Sequence, residues 1–296
     1  MQYLDNYRLE CLRAISQVPV RISAWPALQD EIVKHLGPSP NSNDVFSIGS
    51  KLSDVFKSYE RTRSQSDLAS GGKLWEVLIV WYLNLIFWRT NVVAMCPRKS
   101  LLPPVINEAL AVKIKNVVTT KEADVIVFSL PSLVDTPQPV NGTDWNREDI
   151  DTMIRQNPNS TEVGVIQCKT NWNDNAQIPM LWNALYAAHD LNVKNVAIGI
   201  NGYTPSSFRR FSYAFATVPT NTVDNFKSTT TSVVRVQGLT GGNYWGRPSV
   251  EAVADSMSEY FGRNFGHVFE GGVQNHIDKN VLTEDGVLQK FLAFDF

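Results

Sequence analysis

The stretch TEVGVIQCKT, residues 161–170, sets the reading of the whole chain. Val163, Val165 and Ile166 are apolar and β-branched, and Gly164 drops the side-chain volume among them, so the segment reads as a short buried strand. Side chains alternate across a strand, which puts Gln167 and Lys169 on one face, an amide beside an ammonium. Upstream, ADVIVFSL at residues 123–130 is a second apolar run, and it opens on a lone carboxylate, Asp124. The two segments read as successive core strands, with an acid at the start of one and an amide and a lysine at the end of the next.

The 296 residues suffice for one large domain or two modest ones. A composition of 43% hydrophobic and 19% charged residues is that of a globular protein and excludes a disordered chain. The net charge of −2 provides no general basic field, so any contact with nucleic acid rests on local clusters or on metal ions that offset acids. Cys11, Cys96 and Cys168 are far apart and odd in number, which fits neither a zinc site nor a disulfide framework and points to a reducing cytosol. The start, MQYLDNYRLECLRAIS, lacks the apolar core of a signal peptide. The most apolar segment, residues 74–88, is shorter than a membrane span and carries Glu76 and Asn84. The expectation is a cytoplasmic protein without a membrane partner.

Residues 1–60 read as a helical region packed on the core. A first helix ends before Pro19, a second opens at Pro26, and a third covers residues 45–59. LWEVLIVWYLNLIF at residues 74–87 is apolar on nearly every side and reads as a helix at the domain centre, with Glu76 in its first turn. Short strand-like runs follow at NVVAMC (91–96), VKIKNVV (112–118) and ADVIVF. Residues 131–160 read as an insertion with one short helix at 148–155. Pro179 opens a helix after TEVGVIQCKT, and VKNVAIGI (193–200) reads as the next strand, in the same sheet and parallel through a βαβ crossover. A strand at TSVVRVQG (231–238), a glycine-rich turn GGNYWGRP (241–248) and a helix over 248–265 complete the pattern.

Hydrolysing a phosphodiester requires an in-line water, neutralisation of the phosphoryl oxygens and help for the leaving oxygen, much of which a divalent cation supplies. Mg²⁺ needs only one or two protein carboxylates, and a lysine beside it can orient water or stabilise charge. Asp124 followed by Gln167-Cys168-Lys169 resembles the PD-(D/E)XK nuclease superfamily, over residues 70–200. Ala123 stands where the family's proline is common, and Gln167 stands in place of the second acid, as in a minority of its restriction endonucleases. The resemblance implies Asp124 and Gln167 as metal ligands, the Cys168 carbonyl as a backbone ligand and Lys169 as the catalytic lysine. It implies Mg²⁺ as cofactor, with Mn²⁺ able to substitute. Glu76 occupies the place of a helix glutamate found in many members and is the candidate to restore the missing charge, with Glu122 and Glu162 as alternatives. The Cys168 thiol alternates to the opposite face and packs in the core.

The expected architecture is an α/β fold. It has a mixed central sheet flanked by helices, a restriction-endonuclease-like core over residues 61–296 with C-terminal recognition elements, and a helical N-terminal region. Double-stranded DNA is the implied partner and a homodimer the implied assembly. Arg61, Arg63, Lys73, Arg98 and Lys99 are candidate phosphate contacts. Asn201, Tyr203, Ser206, Ser207, Arg209 and Arg210 are candidate base readers, since Arg suits guanine and Asn suits adenine. A type II restriction enzyme is the reading that results. A repair or junction nuclease of the same superfamily and a non-catalytic DNA-binding protein remain the alternatives.

Overall fold

The structure is a computed structural model, and it describes residues 2–16, 19–60, 71–120, 123–131, 145–170, 196–218, 257–283 and 286–296, together with positions 229, 234 and 238. Four helices come first: α1 (Gln2–Ser16), α2 (Pro19–Leu36), α3 (Ser42–Glu60) and α4 (Gly71–Ile86). Helix α4 is buried at every position from Leu74 to Ile86, as a helix without a polar face must be. Three of its tryptophan and tyrosine groups fix it in place. Trp75 donates to the Ala216 carbonyl, Trp81 to the Phe291 carbonyl, and Tyr82 to the Phe46 carbonyl. Helix α2 begins at Pro19, and Pro26 lies inside it, which corrects the expected opening at Pro26. Pro19 takes the first-turn position, where a missing N–H costs nothing, and burial of Ala24, Trp25 and Leu28 carries the helix past Pro26.

The described residues then form seven strands: β1 (Val92–Met95), β2 (Ala111–Ile114), β3 (Val117–Thr120), β4 (Val125–Ser129), β5 (Glu162–Lys169), β6 (Val196–Ile198) and β7 (Arg210–Thr217). The main sheet has the order β1-β4-β5-β7, antiparallel at the first two pairings and parallel at the last. A second sheet has the order β3-β2-β6 and is wholly antiparallel. Two expectations are thereby corrected. The run VKIKNVV is the hairpin β2–β3, not one strand, and VAIGI pairs with β2, not with β5. The parallel neighbour of β5 is RFSYAFAT, whose small Ala214 and Ala216 let the sheet approach α4, while Ala197 in β6 is exposed.

Helices cover both faces of the main sheet. Val125, Val127, Ile166, Cys168, Ala214 and Ala216 face α4 and three C-terminal helices, α7 (Met257–Phe265), α8 (Val273–Asn280) and α9 (Val287–Ala293). Val93, Met95, Ile126, Phe128 and Val163 face α5 (Pro104–Leu110), α6 (Arg147–Gln156) and part of α1. The fold is thus mixed α/β, with a central mixed sheet between helical layers. Helix α6 lies where a short helix is expected, and α5 is additional.

Strand β1 lies at the edge of its sheet, yet its outward backbone groups are all taken by side chains. Val92 N–H donates to Thr90 Oγ1 and its carbonyl accepts from the buried Arg8 guanidinium at 2.7 Å. Ala94 N–H donates to Asn84 Oδ1 and its carbonyl accepts from Asn84 Nδ2, at 3.1 and 2.7 Å. Arg8 also donates to the Thr90 carbonyl and pairs with Asp5, so α1 is tied to the start of β1.

The helix expected from Pro179, the GGNYWGRP turn and the basic stretch with Arg61 and Arg63 lie outside the described residues. Within the expected strand at 231–238, the two described positions, Val234 and Gly238, are helical. Among the described residues no helix is long and apolar enough to cross a membrane.

Candidate active site

The last ladder pair of β4 and β5 is Val125 with Ile166, and Asp124 comes one step further on, opposite Gln167. Here the ladder stops and side chains replace it. Asp124 Oδ2 accepts from Gln167 Nε2 and, at 2.8 Å, from the Cys168 N–H. A carboxylate thus takes the place of the next strand carbonyl. Because a strand residue's N–H and C=O point to the same neighbour, the Cys168 carbonyl lies on the Asp124 side of β5. The Lys169 carbonyl lies on the other, where it accepts from Val218 N–H. Gln167 is buried, whereas Asp124 and Lys169 are half-buried at the mouth of the site. No hydrogen bond or ion pair with another described residue holds the Lys169 ammonium.

Helix α4 brings a second carboxylate. The Trp75 hydrogen bond sets the first turns of α4 over Ala216, the β7 partner of Cys168. The next residue, Glu76, is only 5% exposed. Lys73, one turn earlier, donates to both Glu76 oxygens at 3.0 and 3.1 Å, and the Cys96 thiol lies 4.0 Å from Oε2. Burial alone would lower the Lys73 ammonium. The hydrogen bond and charge of Glu76, joined by the charges of Asp124 and Cys96, outweigh it and raise its pKa. The Cys168 thiol is pushed well above its usual range, chiefly by burial and then by Asp124, Glu76 and Cys96. It is therefore a packed thiol and not a nucleophile. Tyr213 on β7 is raised likewise, by burial first and by Asp124 next. Asp124 and Glu76 thus act on the same two groups, Lys73 and Cys168.

The structure brings together Asp124, Gln167, Cys168, Lys169, Glu76 and Lys73. Lys73, a candidate phosphate contact, is also the partner of Glu76, a role its spacing of three residues on a helix could have indicated. Cys96 and Tyr213 carry no sequence signal that links them to Asp124. Arg98 and Lys99 follow β1 at this same end of the sheet, since Met95 pairs with Ile126.

The candidate base readers stand elsewhere. Arg210 pairs in register with Glu162, and five positions of β5 separate Glu162 from Gln167, roughly 17 Å along the strand. Arg210 donates to the Asn264 backbone and side chain, Arg209 lies 3.7 Å from Glu162, and Tyr203 lies under the Arg155 guanidinium. Ser207 accepts from Thr204 N–H within a capping box, and Asn201 bonds Glu108. Glu162, one of the alternative acids, sits at this far end beside His267 at 3.3 Å, away from Asp124.

Among the described residues there is no group of three or more His, Cys, Asp and Glu placed to hold a metal ion. What the site offers is a hard oxygen set: the carboxylates of Asp124 and Glu76, the Cys168 carbonyl and the Gln167 amide oxygen. That chemistry fits Mg²⁺, which needs few protein carboxylates, and not a thiolate-seeking metal. Gln167 meets Asp124 through Nε2, so ligation through Oε1 requires its amide to turn over.

No protein-family model matches the chain, and no curated protein matches it either.

Proposed function

We propose that the chain is a Mg²⁺-dependent endonuclease of the PD-(D/E)XK kind that cuts double-stranded DNA at specific sites, as type II restriction enzymes do, and acts as a homodimer in the cytosol. The observation that carries the reading is the Asp124 carboxylate held by Gln167 and Cys168 at the open end of β4 and β5, with Lys169 next along the strand. The element order supports it too. A buried helix is followed by β1, the strand led by Asp124 and the strand that carries Gln167 and Lys169, which is the order of elements on which the resemblance rests.

In this reading Asp124, Gln167 and the Cys168 carbonyl would hold the cation, and Glu76 would restore the charge that Gln167 lacks. Bound there, a divalent cation would supply charge neutralisation at the phosphoryl oxygens and a more acidic attacking water. Lys169 shares a strand face with Gln167 and presents its ammonium to the scissile phosphate, where it orients water and stabilises the charge that builds on phosphorus oxygens. Lys73, the exposed partner, pairs with the buried Glu76.

Digestion of plasmid DNA with Mg²⁺, comparing wild type with Asp124→Ala and Lys169→Ala, tests the reading. Discrete fragments that vanish in both variants support it. Random nicking replaces it with a repair nuclease, and no cleavage with any divalent cation leaves a non-catalytic protein.

A further inference from the structure

The β2–β3 hairpin is a two-stranded ribbon with little cover. Ile114 pairs with Val117 and Lys113 with Val118, and every residue from 113 to 119 is exposed. Ile114 is 46% exposed, Val117 62% and Val118 49%, three of the six most exposed large apolar side chains among the described residues. No described core cluster includes them, although exposed apolar side chains mark a contact surface. The same ribbon carries Lys113, Lys115 and Asn116, and residues 111–120 contain no acid. Lys115 holds the turn with a φ of 54°, a left-handed conformation that Gly or Asn takes more easily. Turn chemistry therefore does not account for the lysine.

The chemistry of the ribbon selects its partner. Apolar side chains alone would suit another protein, but two ammonium groups, a carboxamide and no acid suit a polyanion. The major groove of DNA admits a two-stranded ribbon and meets each of these groups: phosphates along its rims, acceptors on guanine for Lys, adenine for Asn and thymine methyls for Ile and Val. Placement agrees. Seven residue steps join Val117 to Asp124 and nine join the tip residue Lys115 to it, so the tip lies within roughly 32 Å of Asp124, less than one helical turn of DNA.

We propose that the β2–β3 ribbon enters the major groove of double-stranded DNA beside the site at Asp124, with Lys113, Lys115 and Asn116 as polar contacts and Ile114, Val117 and Val118 as apolar ones. The choice of Asp124 as the neighbouring site rests on the nuclease reading, but groove contact can be measured without cleavage. The test uses the full chain in EDTA, a labelled mixed-sequence duplex and fluorescence anisotropy over a salt series. Lys113→Ala/Lys115→Ala is expected to flatten the slope of log affinity against log salt by about 2, and Lys113→Arg/Lys115→Arg to restore it. Val117→Thr/Val118→Thr is expected to weaken binding with the slope unchanged.

The ribbon proposal is overturned if wild type binds no duplex or if both double variants bind as wild type does. It also falls if the valine variant converts a dimer to monomer, by light scattering, while its DNA affinity stays the same, since the ribbon then joins copies of the chain. Plasmid cleavage by the same proteins separates the two readings. Ribbon-dependent binding without cleavage removes the nuclease and keeps the ribbon. Cleavage with ribbon-independent binding does the reverse.

Discussion

Gln167 donates its side-chain amide to the carboxylate of Asp124 across the end of the β4–β5 pair, one step past the last ladder residues. The amide therefore stabilises the acid it faces, whereas a second acid in its place would repel it. Gln167→Glu removes a donor and sets two carboxylates together. In EDTA the variant should lose about 1–3 kcal/mol of stability. Mg²⁺ should raise its melting temperature by more than that of wild type, because the added acid is a better cation ligand. Thermal melts in EDTA and in Mg²⁺ measure both effects, and an equal response to Mg²⁺ would separate position 167 from the cation.

Lys73 is the cation paired with the buried Glu76, and its removal takes two hydrogen bonds from that carboxylate. Lys73→Met should destabilise the fold by about 0.5–1 kcal/mol at neutral pH, since the ammonium is largely in water. The pH dependence follows from the raised pKa of Lys73. A base raised on folding contributes its full stability below the ordinary lysine value of 10.5 and loses it as pH climbs through the folded value. The gap in melting temperature between wild type and variant should thus be constant at neutral pH and close above pH 10.5.

Arg155 joins α6 to α5 through Glu108, with both outer nitrogens 2.9 Å from its carboxylate oxygens, and its Nε donates to Asp151. Hydrogen bonding from Arg155 is the main cause of the lowered Glu108 pKa. An acid lowered on folding contributes stability above the ordinary value of 4.5 and loses it as pH falls through the folded one. Arg155→Met should cost about 1–3 kcal/mol at neutral pH. Denaturant titrations should show that difference shrinking below pH 4.5.

Asn84 is the one polar side chain in the middle of α4 and is fully buried. Its amide both donates to and accepts from Ala94, and also donates to the Val80 carbonyl. Asn84→Leu matches its surroundings in polarity but leaves the Ala94 N–H and C=O buried without partners. A loss of about 2–5 kcal/mol is expected from two orphaned groups, read by chemical denaturation. A neutral outcome would show that water reaches the β1 edge.

Much of the core was legible because single residues left few choices. An apolar segment such as residues 74–86 has no polar side to turn to water, so a buried helix is the solution open to it. The strands around Val125 and Val163 were legible from β-branched runs, and strand alternation placed Gln167 and Lys169 on one face. The parallel partner of β5 was not, since RFSYAFAT mixes Arg, Ser and Ala, and only the Trp75 and Tyr260 rings packed nearby give its small residues a purpose. VKIKNVV concealed its turn because Lys115 and Asn116 supply neither Gly nor Pro at the reversal. In the site, Asp124 and Gln167 could be paired from strand order. Lys73 read as a phosphate contact, although its spacing from Glu76 on one helix already allowed their pairing.

The side chains along the outer edge of β1 also bear on how the protein behaves in a crowded cell. An open edge strand is a template for pairing with any extended chain, and so a starting point for aggregation. Arg8, Thr90 and Asn84 occupy the outward amides and carbonyls of Val92 and Ala94, so β1 has nothing left to offer an incoming strand. Helix α1, tied down by Arg8, serves as a permanent lid on that edge. A chain shortened past residue 8 would bare the Val92 carbonyl and should clump by edge-to-edge pairing well before its core melts.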